Sequence, residues 1–312
     1  MNPSNQHQDQ MLETETRKTP ANASQTAVTV LGLGPMGQAL AGALIRSGHS
    51  TTVWNRTSAK ADALVKQGAV LAPSVRDAVL ASELIIICVL NYDAVNDILS
   101  TATDALKGKT LINLTADVPE RTREMAEWAN HNGIDYIDGA IMTPIPTIGE
   151  PSAIILYSGP EDVYRSHHRI LASLGGTASF LGEDPGRAAA YDVALLDVFW
   201  TAMSGYVHAL AIARAENIAA KDIAPYAHNI IRIMPDIMTY MAHDADRGVY
   251  PGDSSSLISN ATSMEHIIHA AEHHGIDSSV LIAAKAIAQK AILAGHGEDG
   301  FSRLIEYNLT SS

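Results

Sequence analysis

The run GRAAAYDVALLDVFW, residues 186–200, is apolar almost throughout yet carries two carboxylates, Asp192 and Asp197. Taking an unpaired carboxylate out of water costs several kcal/mol, so a buried acid in such a run is paired, neutral or turned toward a cavity. Five residues along a helix subtend about 140°, so the two acids cannot share a face. Asp192 is therefore the candidate acid, and Asp197 is read as solvent-facing or salt-bridged. A carboxyl in an apolar cleft has two possible roles: it keeps its proton and acts as a general acid, or it ionises and stabilises a cation. Staying protonated near neutrality requires a rise of about 3 units above the ordinary aspartate value, roughly 4 kcal/mol of desolvation.

A second set of residues offers a phosphate cradle. VTVLGLGPMGQAL places Gly32, Gly34 and Gly37 in G-x-G-x-x-G spacing, with Leu33, Pro35 and Met36 between them, directly after an apolar β-branched run. The first glycine allows a tight turn, the second lets backbone approach a pyrophosphate, and the third allows close packing at the start of a helix. The anion then meets free N–H groups and the positive end of the helix dipole. About 20 residues on, where a dinucleotide site for a free ribose 2′-hydroxyl needs an acid, the sequence reads VWNRT. Asn55, Arg56 and Thr57 instead suit a 2′-phosphate, which a guanidinium holds and a carboxylate repels, with Lys60 one helical turn further on. The cofactor expected is NADPH. Val89 and Leu90, closing the run ELIIICVL, and Asn113, in TLINL, are further candidate cofactor contacts.

The elements that must position these residues follow from periodicity. AVTVLGL, STTVW, ELIIICVL, TLINL and IDYIDGAI read as strands alternating with helices from about residues 36 and 58, and SAIILYSG and ASFLG add two more strands. This pattern predicts an α/β fold: an N-terminal Rossmann domain with a doubly wound parallel sheet over residues 26–185. Residues 186–312 read as an all-helical domain, with helices over 187–217, 221–242, 255–274 and 279–295 and a break at GVYPGD. A first helix of about 30 residues would span about 45 Å, which predicts that it links the domains and packs against a second subunit in a domain-swapped homodimer. Residues 1–25 are polar, carry no signal-peptide core and are expected to be disordered.

Composition sets the exclusions. The chain of 312 residues carries 21 Lys and Arg against 34 Asp and Glu, a formal charge of −13, which argues against nucleic-acid and anionic-membrane partners. By sequence no apolar run approaches the roughly 20 residues of a membrane span. The single cysteine, Cys88, lies in an apolar run and points to a reducing, cytoplasmic setting.

The glycine motif, VWNRT, INLTADVPE, YIDGAIM, DPGRAAAYDVALL, and YPGD followed by MEHIIHAAE together resemble the Asp-type NADPH-dependent imine reductases, of the β-hydroxyacid dehydrogenase superfamily. In the hydroxyacid enzymes the corresponding helix begins G-x-G-x-x-x-Lys-x-x-x-Asn. Six residues after Gly186 stands Asp192 instead of that lysine, and Leu196 occupies the place of the asparagine. The resemblance implies that Asp192 supplies the proton to nitrogen; ionised stabilisation of an iminium is the other role it leaves open. Where the hydroxyacid enzymes carry a carboxylate-binding Ser-Gly-Gly loop, this chain has Met142, Thr143 and Pro144, which suits an uncharged or cationic apolar substrate. Leu196, Phe199 and Trp200 are expected to line the pocket, with Tyr206 and residues Met234 to Met241 as further candidates. Ala116 replaces a polar residue common in the family, so that contact does not carry over. The resemblance also implies the R product.

The activity expected is hydride transfer from NADPH to the carbon of a cyclic imine or iminium ion, giving an amine. The alternatives are a carbonyl or hydroxy-acid oxidoreductase working without the usual lysine, and a non-catalytic NADPH-binding module. HAAEH at residues 269–273 matches a short zinc-protease pattern, but no third ligand can be named, and these histidines are read as lying on a partly exposed helix.

Overall fold

The computed structural model describes residues 26–309, so the polar stretch before residue 26 lies outside the described residues. Eight strands form one sheet: β1 Ala27–Leu31, β2 Ser50–Trp54, β3 Val70–Leu71, β4 Leu84–Ile87, β5 Thr110–Asn113, β6 Asp135–Ile141, β7 Ile154–Ser158 and β8 Thr177–Phe180. Their order is β3-β2-β1-β4-β5-β6-β7-β8. Helices α1 Pro35–Arg46, α2 Asp62–Val65, α3 Val75–Leu80, α4 Tyr92–Leu99, α5 Thr103–Leu106, α6 Pro119–His131 and α7 Glu161–Leu171 connect them.

The first six strands are mutually parallel, as the alternation of strand and helix requires. The last two depart from the all-parallel expectation. β7 pairs antiparallel with β6, because the loop between them holds only a single short helical turn at Ile145–Thr147 and cannot make a crossover. β3 was not legible in sequence. It is only two residues long, and both Val70 and Leu71 are exposed.

Why the centre reads as unbroken apolar runs is clear in β4. Leu84 and Ile86 pack into the cluster with α1 and α7, while Ile85 and Ile87 pack into the opposite cluster with α3, α4 and α6. Both faces are covered, so alternation disappears, and each buried isoleucine contributes roughly 1.5–3 kcal/mol.

The chain divides into two compact units between Leu196 and Asp197, within helix α8, Arg187–Ala215, rather than at its start. The first turns of α8 belong to the sheet unit because Ala188 is fully buried against Ala140 and Leu156. The second unit contains the rest of α8 with α9 Ala220–Arg247, α10 Leu257–His273, α11 Ser279–Ala291 and α12 Ile305–Asn308. α8 ends two residues before the expected point because Asn217 takes a left-handed turn at φ 60°. The predicted break at GVYPGD begins at Gly248, a left-handed cap at φ 63°. The core of this unit is small: Leu257, Ala261, Ala288, Ala291 and Leu304. α9 buries none of its residues. α8 is also long and apolar enough, by length and composition alone, to cross a membrane, which corrects the expectation that no run comes close. The estimate from runs missed it because Asp192 and Asp197 break the run without lowering its mean much.

Candidate active site

The residues singled out by sequence gather at the carboxyl ends of the parallel strands, the edge where open α/β sheets bind ligands. Gly32 follows β1, Asn55 follows β2, Val89 and Leu90 follow β4, Asn113 ends β5, and Met142 to Pro144 follow β6.

Each glycine of the loop has a separate cause. Gly32 sits at φ +95°, and a Cβ there would lie 2.3 Å from the Cys88 carbonyl oxygen. A Cβ on Gly37 would lie 2.0 Å from the Gly32 carbonyl oxygen. Gly34, by contrast, faces open space, with nothing within 4 Å of an added Cβ. It caps α1, whose first residue is Pro35, and the N–H groups of Met36 and Gly37 in that first turn are free of intrahelical partners. The loop thus fits a pyrophosphate. Gly37→Ala is expected to abolish NADPH binding in a fluorescence titration and to lower the melting temperature, since backbone must move to admit the methyl group.

Asn55 braces this loop. Its carboxamide oxygen accepts from the Leu33 N–H at 2.9 Å and its amide donates to the Thr57 carbonyl at 3.0 Å. The bend that carries Arg56 and Thr57 is therefore tied to the glycine loop itself. Arg56, Thr57 and Lys60 are exposed, and neither Arg56 nor Lys60 has an acidic partner among the described residues. That leaves both cations available to a phosphate.

Val89 is held by its N–H donating to Thr115 Oγ1 at 3.1 Å, whereas the Leu90 side chain is 90% exposed. Asn113 lies beneath the edge: it is wholly buried, its amide donates to the Tyr136 hydroxyl at 3.3 Å and its carbonyl oxygen accepts from the Thr115 N–H at 3.0 Å. Its side chain is used in shaping the loops after β4 and β5. Cys88 is buried, and burial pushes its thiol up to about 11, so it is inert packing.

Asp192 is buried, at 6% exposure, and Asp197 is exposed, as is every residue over 193–200. Among the described residues no hydrogen-bond donor reaches the Asp192 carboxyl, and burial raises its pKa above the ordinary value. Its helix is fixed at the start by two clasps. Ser158 Oγ accepts from the Ala188 N–H at 2.9 Å and donates to the Pro185 carbonyl at 3.0 Å. Asp184 accepts from the Gly186 N–H at 3.0 Å and takes a two-pronged bond from Arg123 at 3.0 and 2.9 Å, a pairing that holds its carboxyl below the usual range. A Cβ on Gly186 would lie 2.7 Å from the Arg123 guanidinium, which would have to shift.

Met142 packs against the Ala140, Leu156 and Ala188 cluster. Beside it the Thr143 hydroxyl is a buried oxygen with no partner among the described residues, and Pro144 is exposed. Along α8, Leu196, Phe199 and Trp200 are all exposed, with the Phe199 and Trp200 rings edge-on at 5.2 Å. Within the helical unit, Nε2 of His269 lies 3.7 Å from Glu265, and the His273 ring packs edge-on against His274.

Sequence reasoning missed one buried polar cluster. Asp138, at 2% exposure in β6, accepts from the Tyr92 hydroxyl at 3.0 Å and the Tyr136 hydroxyl at 3.3 Å. The signal was present in IDYIDGAI: a carboxylate inside an apolar strand poses the same question as one inside an apolar helix.

A twisted sheet with a glycine loop at its carboxyl edge and a buried acid on the helix leaving it defines a dinucleotide-dependent oxidoreductase of the Rossmann class. Comparison with known proteins narrows this. Residues 27–182 match the model of the NAD binding domain of 6-phosphogluconate dehydrogenase, and residues 184–309 match the C-terminal domain of NADPH-dependent reductive aminase-like proteins. The chain is 37% identical to the NADPH-dependent reductive aminase of Aspergillus oryzae over 284 residues, covering 90% of this chain and 96% of that one. A reductive aminase from Aspergillus terreus, solved with NADPH4, cyclohexanone and allyl amine, superposes with a TM-score of 0.87 at 36% identity, over 92% of this chain and 100% of that one. An imine reductase from Myxococcus stipitatus, solved with NADP+, does so with a TM-score of 0.87 at 37% identity, over 91% and 100%. The chain belongs to the NADPH-dependent imine reductase and reductive aminase family.

Proposed function

We propose that this protein is an NADPH-dependent imine reductase that delivers hydride to the carbon of cyclic imines or iminium ions and releases the amine. The observation that carries the reading is Asp192, buried and without a donor among the described residues, on the helix where the hydroxyacid enzymes keep a lysine. A lysine about 4 Å from an iminium would repel it by roughly 4 kcal/mol at an effective dielectric near 20, and a carboxylate would attract it by as much. Reversing the charge at this point reverses the preferred substrate from anion to cation.

Bound NADPH supplies the hydride. The glycine loop and the first turn of α1 hold its pyrophosphate, while Arg56, Thr57 and Lys60 meet the 2′-phosphate. Asp192, raised in pKa by burial, either gives a proton to the imine nitrogen or, ionised, holds an iminium. Met142, Thr143, Pro144 and Leu196 of the sheet unit are assigned to the substrate, a lining without a carboxylate clamp; Phe199 and Trp200 are assigned to it by the resemblance alone. The domain assignment, dinucleotide binding by residues 26–185 and a helical substrate and dimerisation region over 186–312, belongs to the same reading.

The homodimer is part of the proposal. Val193, Val198 and Val207 on α8 and Tyr226, Ile230, Ile233, Ile237 and Tyr240 on α9 are exposed, a density of apolar side chains that a second copy would cover. Light scattering at micromolar concentration should give twice the chain mass of 33.2 kDa; a monomer would remove this part of the reading. A reducing, cytoplasmic location accords with the inert Cys88 thiol. The activity is tested by NADPH consumption with 2-methyl-1-pyrroline beside NADP+ reduction with 3-hydroxyisobutyrate. Turnover of the imine alone is the expected result, and oxidation of the hydroxy acid alone would replace the reading with that of a hydroxy-acid dehydrogenase.

A further inference from the structure

Asp138 and Asp192 stand on elements that share one apolar cluster. Ala140 of β6 and Ala188 of α8 are buried together with Leu156 of β7. Asp138 lies two residues before Ala140, hence on the same face of the strand, and Asp192 lies one helical turn after Ala188, hence on the same face of the helix. The register agrees. Asp138 is directly opposite Ser158 in the antiparallel β6–β7 pair, and the Ser158 hydroxyl binds the start of α8. Side chains of directly opposed residues share a face, so the carboxyl of Asp138 is turned to the same side as α8.

Asp138 is also the hub of a buried polar network. The Tyr92 hydroxyl lies 3.0 Å from Thr122 Oγ1 and 3.2 Å from the Tyr136 hydroxyl. Tyr136 accepts from Asn113, Asn113 accepts from the Thr115 N–H, and Thr115 Oγ1 accepts from the Val89 N–H. One set of hydrogen bonds therefore runs from Asp138 to the loops after β4 and β5, at the ligand-binding edge.

We propose that Asp138 is a positioning residue for the reaction: with Asp192 it forms a coupled carboxyl pair across β6 and α8, and the two titrate as one unit. The proposal rests on the imine-reductase reading for its catalytic consequence, but the pairing itself does not. Two carboxyls in one apolar site cannot both ionise freely, so protons leave the pair in two separated steps. Burial pushes Asp138 up to about 7, the Tyr92 and Tyr136 hydroxyls pull the other way, and the Asp192 charge adds to the rise. The groups facing the pair are few. β6 and α4 supply Tyr136 and Tyr92, whose own ionisation burial drives well upward. α6 supplies the neutral Thr122, β5 Asn113 and β7 Ser158. The cations of α6 are occupied, Arg121 by Asp93 and Asp117 and Arg123 by Asp184. No cation neutralises the pair among the described residues.

The test reads the coupling from both sides in the full chain loaded with NADP+. With carboxyl-13C aspartate, the Asp138 resonance of the wild type should titrate near neutrality. In Asp192→Asn its midpoint should fall by about one pH unit or more, since a like charge has gone. In Asp138→Asn, whose amide oxygen still accepts from both tyrosines, the near-neutral step in the pH profile of kcat/KM for the imine should vanish or move down by a similar amount. An Asp138 midpoint that stays in place in Asp192→Asn overturns the proposal, as does an Asp138→Asn profile that superimposes on the wild type. Should Asp138→Asn fail to fold, Asp192→Asn leaves the tyrosine network intact and still decides. Should the wild type turn over no imine, the assigned reaction fails while the carbon titration continues to report on the pair.

Discussion

Asp192→Asn is expected to lower kcat for imine reduction by about 100- to 10,000-fold, the range a positioned general acid contributes, while the dissociation constant for NADPH stays where it was. The fold should tolerate the change. α8 is anchored at Ala188 by Ser158, at Gly186 by Asp184 and by the buried Ala188 methyl, none of which involves the Asp192 carboxyl. The amide matches the carboxyl in shape but cannot release a proton at nitrogen or offset a cation. The pH profile separates these two roles. The raised pKa of Asp192 means that its neutral form persists above the usual aspartate range. A donor is therefore active below that pKa and loses activity as pH rises through it; an ionised stabiliser gains activity over the same window. The measurement is kcat and KM against pH for wild type and variant, with NADPH binding followed by fluorescence.

Arg56→Glu is expected to weaken NADPH binding by roughly 100-fold or more and to leave NADH binding little changed. A hydrogen bond between charged groups contributes about 1.5–3 kcal/mol, and the new carboxylate adds repulsion toward the 2′-phosphate. The specificity of the effect comes from the local architecture. Asn55 ties the Arg56 bend to Leu33 of the glycine loop, so the guanidinium is carried by the same scaffold that seats the pyrophosphate. Because Arg56 is exposed, the wild-type preference for NADPH over NADH should shrink as ionic strength rises. Titration of both cofactors at low and high salt checks it, and equal losses for NADPH and NADH would remove Arg56 from the 2′-phosphate site.

The sheet unit was legible because its signals are local. A glycine loop between strand and helix has a steric cause at each position, and the buried strands show as apolar runs wherever both faces are covered, as at Leu84–Ile87. β3 was invisible because two exposed residues carry no period. The reversed β7 was missed because strand direction depends on the connection, and a crossover too short for a helix looks like any loop in sequence. Asp192 is buried and Asp197 exposed, but α8 is exposed on all faces over residues 193–200, so helical geometry alone does not account for the difference. The Asp138 cluster was not legible, since Tyr92, Thr122 and Tyr136 come from α4, α6 and β6, and only the folded sheet brings them to one carboxyl. Asn113 illustrates the same limit: its place at a strand end marks it for a ligand, yet its amide is turned inward to Tyr136.

Transfer of label from NADPH deuterated at the hydride position of the nicotinamide to 2-methyl-1-pyrroline is the most direct measurement. Mass spectrometry of the amine should find one deuterium on the carbon that had been doubly bonded to nitrogen, and the Asp192→Asn enzyme should form that product at a small fraction of the wild-type rate. An amine without deuterium, or no amine from an enzyme that binds NADPH tightly, would contradict hydride transfer to a C=N carbon.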